Sequence, residues 1–155
     1  YGLLSLFFCV SKNLIIYLRN YKNNGQGGGQ MNNKVIMVTN NMLIGEKFNE
    51  KCQVEFIIGD VNEVFKTVRD YIHKGHELLT HPLMSSVKPN ETPYRTVVIS
   101  KYYKNVVDME SLNYIEESIY SLEKFQKSCG TPAWNDNILK DFRLIDYDLI
   151  YNALN

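Results

Sequence analysis

The sequence has no excess of either charge. Lys plus Arg and Asp plus Glu each number 17, so the formal net charge at neutral pH is zero. A strongly basic nucleic-acid binder and an acidic disordered tail are both disfavoured. Cysteine is scarce, and three in 155 residues exclude a dense disulfide framework. Long apolar runs are missing too. Residues 3–10 and 14–18 form two short runs parted by Ser11, Lys12 and Asn13, well short of the roughly 20 apolar residues of a membrane span. There is no Cys-x-x-Cys pair, no nucleotide-binding glycine fingerprint and no legible nucleophile–base–acid triad. Gly27-Gly28-Gly29 lacks the strand, lysine and helix of a phosphate loop. What is present is an ordinary globular balance, 45% hydrophobic and 22% charged, enough for one domain with one core.

Residues 1–30 differ in character from the rest. They hold no Asp or Glu and three basic residues, so the remainder has 14 basic against 17 acidic residues, a net of −3. As a signal peptide the stretch lacks a basic start, and as an anchor it is poorly made. A third reading uses the genetic code. Gln26-Gly27-Gly28 can be encoded CAA GGA GGT, which contains a bacterial ribosome-binding sequence at a natural spacing before Met31. On this reading residues 1–30 are a non-domain leader, translated upstream DNA, and the domain is 31–155. Codons 26–28 that spell no purine-rich ribosome site would refute it.

Within 31–155, residues 34–39 read as a buried strand that Asn40-Asn41 stops. Residues 54–58 read as a second strand ended by Gly59-Asp60. Asp60 caps a helix with Val61, Val64, Phe65, Val68 and Ile72 on one face, closed by Lys74-Gly75. Residues 76–81 read as a third strand ended by Pro82, and 96–100 as a fourth. Asp108 starts a long helix bearing Met109, Leu112, Ile115, Ile119, Leu122 and Phe125, which Gly130-Thr131-Pro132 breaks. The tail fits either a helix with Ile138, Leu139, Phe142, Ile145, Leu149 and Ile150 inward, or a strand over 142–146 and a closing helix. The expected fold is α/β, a single small domain with a mostly parallel sheet of about four strands flanked by helices.

The densest chemistry lies between Arg69 and Arg95, which enclose all three histidines and three of the four prolines. The loop from Pro82 to Tyr94 is long for a compact domain, and such loops are often functional. In open α/β sheets ligands sit beyond the carboxyl ends of the strands. If the first and third strands are parallel neighbours, Thr39, Asn40 and Asn41 converge there with His81 and the loop. The chemistry on offer is anion recognition. Lys88 and Arg95 supply charge, Ser85, Ser86 and Thr92 hydroxyls, and Asn40, Asn41 and Asn90 amides, with Tyr94 beside them. His81 and Glu91 are the candidates for moving a proton. The competing reading is a loop shaped by Pro89, Asn90 and Pro93 whose polar groups serve its own backbone. The spacing His73-x2-His76-x4-His81 would need a special turn to bind zinc. Cys52 and Cys129 read as buried or inert thiols, with a reactive thiol at Cys129, before Gly130 and near Trp134, as the alternative. No metal ion and no cofactor is expected.

Three stretches carry a resemblance. They are Val38-Thr39-Asn40-Asn41, then Arg69-Asp70-x-Ile72-His73-Lys74-Gly75-His76-x-Leu78-Leu79-Thr80-His81-Pro82-Leu83, then Ser86-Val87-Lys88-Pro89-Asn90-Glu91-Thr92-Pro93-Tyr94-Arg95. From Met31 to about Leu154 the chain resembles the GrdX family, small cytosolic proteins encoded beside the glycine, sarcosine and betaine reductase genes of amino-acid-fermenting anaerobes. The resemblance implies an operon context and carries over no catalytic residues. It implies an accessory protein of the glycine reductase system in a reducing cytoplasm. Such a protein would bind an anionic small molecule (glycine, acetyl phosphate or phosphate) or a reductase subunit. The alternative is a small pathway enzyme with His81 and Glu91 as acid and base and Lys88 and Arg95 as anion clamp. No nucleic-acid partner is expected, and no membrane unless residues 1–30 are real.

Overall fold

The computed structural model describes residues 34–85 and 87–154; the leader reading of residues 1–30, like Ser86, lies outside them. The first described element is β1 (Val35–Thr39), all five residues buried. A strand covered on both sides has no use for polar alternation. Its side chains divide by parity instead. Ile36 and Val38 enter one apolar cluster, Val35 and Met37 the other. The helix α1 (Met42–Phe48) follows at once, then β2 (Gln53–Phe56), α2 (Val61–His73), β3 (His76–Leu78) and β4 (Thr96–Tyr103). Two long helices, α3 (Met109–Cys129) and α4 (Asp136–Leu154), complete the described elements.

The strands lie in the order β2-β1-β4-β3. β1 and β2 are parallel, with Ile36 opposite Gln53 and Thr39 opposite Phe56. β4 is antiparallel to both of its neighbours, with Thr39 opposite Thr96 and Leu78 opposite Ile99. The expectation of a mostly parallel sheet is therefore corrected: the sheet is mixed. Two parallel strands need a crossover of about a dozen residues or more, usually helical. Residues 40–52 provide one through α1. Residues 79–95 hold no helix, so β4 starts at the end where β3 stops and runs back. β1 and β3 are accordingly not neighbours. They run the same way with β4 between them, and the start of β4 lies between their carboxyl ends.

On one face α2 and α3 pack over the sheet through Val61, Val64, Phe65, Val68, Ile72, Ile115 and Leu122. On the other, α1 and α4 pack through Ile44, Phe48 and Ile150. Asp60 caps α2, accepting from the Asn62 and Glu63 amides, as its place before the helix led one to expect. Asp108 caps α3 through the Ser111 amide. Gly75 has φ 98, and a Cβ there would lie 1.8 Å from the Lys104 carbonyl oxygen, so only glycine fits the turn.

Several boundaries move. Asn41 does more than end β1, because its side chain caps α1 by accepting from the Leu43 amide. That helix was not expected. β3 stops at Leu78, since Leu79 and Thr80 both donate to the Val98 carbonyl and so break the ladder. β2 stops at Phe56, and Ile58 is 93% exposed. β4 runs three residues past Ser100 into solvent. The tail is a helix and not a strand, with Ile150 buried against the sheet.

Candidate functional site

The carboxyl end of β1 and the start of β4 are knotted together by polar side chains. Asp146, on α4 and 5% exposed, receives three donors. The Thr96 amide donates to Oδ1 at 3.0 Å, and the Thr96 hydroxyl and Asn41 Nδ2 donate to Oδ2 at 2.6 and 2.9 Å. With the Thr96 hydrogen directed at the carboxylate, the Thr39 hydroxyl donates to Thr96 Oγ1 at 2.7 Å and accepts from the Asn41 amide at 3.0 Å. Asn40 does for the loops what Asn41 does for the helices. Its Nδ2 donates to the Gly59 and Pro93 carbonyls, and its Oδ1 accepts from the Arg95 amide.

Arg95 stands at the centre, 3% exposed. Its Nη1 donates to the Met84 carbonyl at 3.1 Å. Nε and Nη2 have no partner among the described residues. Burial pulls the guanidinium down to about 10, and the nearby Asp146 charge opposes the fall. At neutral pH it remains a cation. Asp146 itself is raised above the ordinary carboxylate range by burial, against its hydrogen bonds from Thr96 and Asn41 and the Arg95 charge. A small cleft with about 10 Å³ of enclosed space, room for roughly one water, opens beside this pair. Its walls are Ser85, Val87, Thr92 and Arg95 from the loop and Phe142, Ile145, Asp146 and Leu149 from α4. Thr92 Oγ1 is buried and also without a partner among the described residues. Leaving such donors bare in a native interior costs on the order of 1–3 kcal/mol each, a cost that a water or a ligand atom in the cleft removes.

The residues expected at a site fall into three groups. Ser85, Thr92 and Arg95 meet on the cleft. Thr39, Asn40 and Asn41 lie beside it, with every amide hydrogen of the two asparagines' side chains bonded to protein acceptors. The others serve the loop. Lys88 is mostly exposed, 3.6 Å from Glu91 Oε1. Asn90 Nδ2 holds the Gly130 carbonyl at 2.7 Å, leaving its buried Oδ1 unpartnered among the described residues. The Glu91 carbonyl accepts from Trp134 Nε1. Tyr94 lies under the Arg143 guanidinium and accepts from its Nη2. His81 Nδ1 accepts from the Leu83 amide at 3.1 Å. Burial first, then the Arg95 charge, lowers this imidazole to about 4, so it is neutral at pH 7 with its proton on Nε2. His76 Nδ1 donates instead to the Ser100 carbonyl. Among the described residues no three His, Cys, Asp or Glu side chains gather where a metal ion could be held. Cys52 is buried and its thiol is pushed up by burial, while Cys129 is exposed; neither is in a disulfide.

Sequence reasoning missed the α4 wall. One signal was available: Asp146 interrupts an apolar face between Phe142 and Ile150, and a carboxylate on a buried helix stripe demands partners.

A family model described as GrdX-like protein matches residues 36–155. The chain is also similar to a protein of Poinsettia latent virus described as a genome-linked protein precursor. Identity is 31% over 107 residues, which is 64% of this chain and 16% of that protein. The chain thus spans about one sixth of that curated relative's length. No solved structure matches it. Among the described residues no helix is long and apolar enough to cross a membrane.

Proposed function

The chain belongs to the GrdX-like protein family, and on that premise we propose that it is an accessory protein of the glycine reductase system that binds a small anion in the Arg95 cleft. One observation carries the reading: a buried guanidinium belonging to a residue of the cleft wall has two N–H groups, on Nε and Nη2, with no acceptor among the described residues. A forked cation in a low-dielectric wall is the usual protein answer to a carboxylate or phosphate. The family name supports the pathway, and the cytoplasm of an amino-acid-fermenting anaerobe goes with it.

Titration calorimetry with carboxylates and phosphate tests the binding. Arg95→Lys keeps the charge and loses the fork, and is expected to weaken binding by about 1.5–3 kcal/mol. Thr92→Val is the milder variant should Arg95→Lys fold poorly, with a loss near 1 kcal/mol. No heat with any anion would refute the reading. Recovery of reductase subunits with the tagged protein, from cells fermenting glycine, tests the accessory role.

A further inference from the structure

An anion meets Arg95 Nε and Nη2 only if a wall of the cleft moves. The enclosed space is about 10 Å³, roughly one water, and both nitrogens are buried. We infer that residues 130–142, the connector from α3 and the first turns of α4, are a strap that closes over the Arg95 guanidinium and opens by local unfolding. The inference rests on the anion reading of the cleft.

The other walls are pinned. Arg95 is held at its backbone by Asn40, whose Oδ1 accepts from the Arg95 amide and whose amide donates to the Arg95 carbonyl. From Arg143 onward α4 is held by Asn41 Nδ2, which donates to the Arg143 carbonyl and to Asp146, and by the buried Ile150. The strap has no such anchor. No residue from Glu123 to Phe142 is buried, and a segment with few buried contacts opens locally for less than the free energy of global unfolding. It starts at Gly130, with φ 70 and, among the described residues, no atom beyond its chain neighbours within 4 Å of an added Cβ. Two single hydrogen bonds tie it to the loop. Asn90 Nδ2 donates to the Gly130 carbonyl at 2.7 Å, and Trp134 Nε1 donates to the Glu91 carbonyl at 2.8 Å. The Trp134 ring lies 5.5 Å from that of Phe142, the cleft wall that the strap carries. Release of the two bonds frees Phe142 to leave the cleft.

The test uses the full chain and reads Arg95 directly. Phenylglyoxal, which modifies accessible guanidinium groups, is applied under native conditions, and its rate at Arg95 is followed by mass spectrometry. Cys52, buried in the cluster with Ile44 and Ile150, is labelled in parallel with a thiol reagent and reports wider unfolding. Trp134→Phe keeps a ring and removes the bond to Glu91. It is expected to raise the Arg95 rate about fivefold, the effect of one hydrogen bond, and to leave the Cys52 rate unchanged. Phe142→Ala removes the wall itself and should raise the Arg95 rate at least as much. An Arg95 rate unmoved by either variant, or one that rises only together with that of Cys52, would overturn the strap. Acetate and inorganic phosphate are then added. An anion bound at Arg95 slows its labelling, and Trp134→Phe should bind that anion about fivefold more tightly, since the opening it needs is already partly made. An Arg95 rate that responds to Trp134→Phe and to neither anion would keep the strap and remove the anion site.

Discussion

At the scale of single residues, Asp146 and His81 show how burial sets charge. Asp146 is raised by burial but is the acceptor for Thr96 and Asn41 and the counter-charge to Arg95. Asp146→Asn turns one acceptor into a donor that faces donors, and leaves Arg95 a lone buried cation. A loss of about 3 kcal/mol in urea unfolding is expected. His81 works in the opposite sense with pH. Its folded-state value, about 4, lies below its ordinary 6.5. Between those two pH values the unfolded chain binds the proton and the folded chain does not, so stability falls as pH drops from 6.5 toward 4. The full loss is as much as about 3 kcal/mol. His81→Asn keeps an acceptor for the Leu83 amide and should flatten that part of the urea midpoint against pH. An unchanged profile would assign the acid sensitivity elsewhere.

At the scale of elements, Asn41 has two separable duties. It caps α1 through Oδ1, and it ties α4 to β1 through Nδ2, which donates to the Arg143 carbonyl and Asp146. Aspartate caps as well as asparagine does. Asn41→Asp therefore keeps the cap and sets a second carboxylate against Asp146. A loss of about 2–4 kcal/mol is expected by urea unfolding, where a cap-only role predicts almost none. This double duty explains why α1 was illegible. Asn40-Asn41 after a buried strand is a turn signal in its own right, and a seven-residue helix offers too short a window for periodicity. The helix over 61–73 was legible because its cap, its five inward residues and its terminal glycine agree. The tail was not, since residues 142–146 suit strand and helix alike until a partner is known.

At the scale of the whole molecule, the central pair β1 and β4 is covered on both faces, while β2 and β3 lie at the edges. The backbone amides of Met37, Val38 and Val98 should exchange with solvent at the rate set by global unfolding, and that of Glu55 faster. Hydrogen exchange followed by nuclear magnetic resonance checks this, and a uniform protection pattern would contradict it. The same layout places the cleft. β4 returns between β1 and β3, so Thr96 and Arg95 stand beside Thr39–Asn41, and α4 closes the side with Asp146.

Taken alone, the sequence determined the alternation of strands and helices, the caps at Asp60 and Asp108, the turn at Gly75 and the family resemblance. Each is written in local spacing and in residue types with narrow conformational or chemical uses. It also marked the loop that carries Arg95. Only the tertiary structure decided the strand directions, the sorting of loop side chains into cleft wall and loop tether, and the placing of Arg95 within the field of a carboxylate 51 residues away. Those depend on which surfaces meet after the chain has turned back on itself, and no local pattern encodes a neighbour that arrives from so far along it.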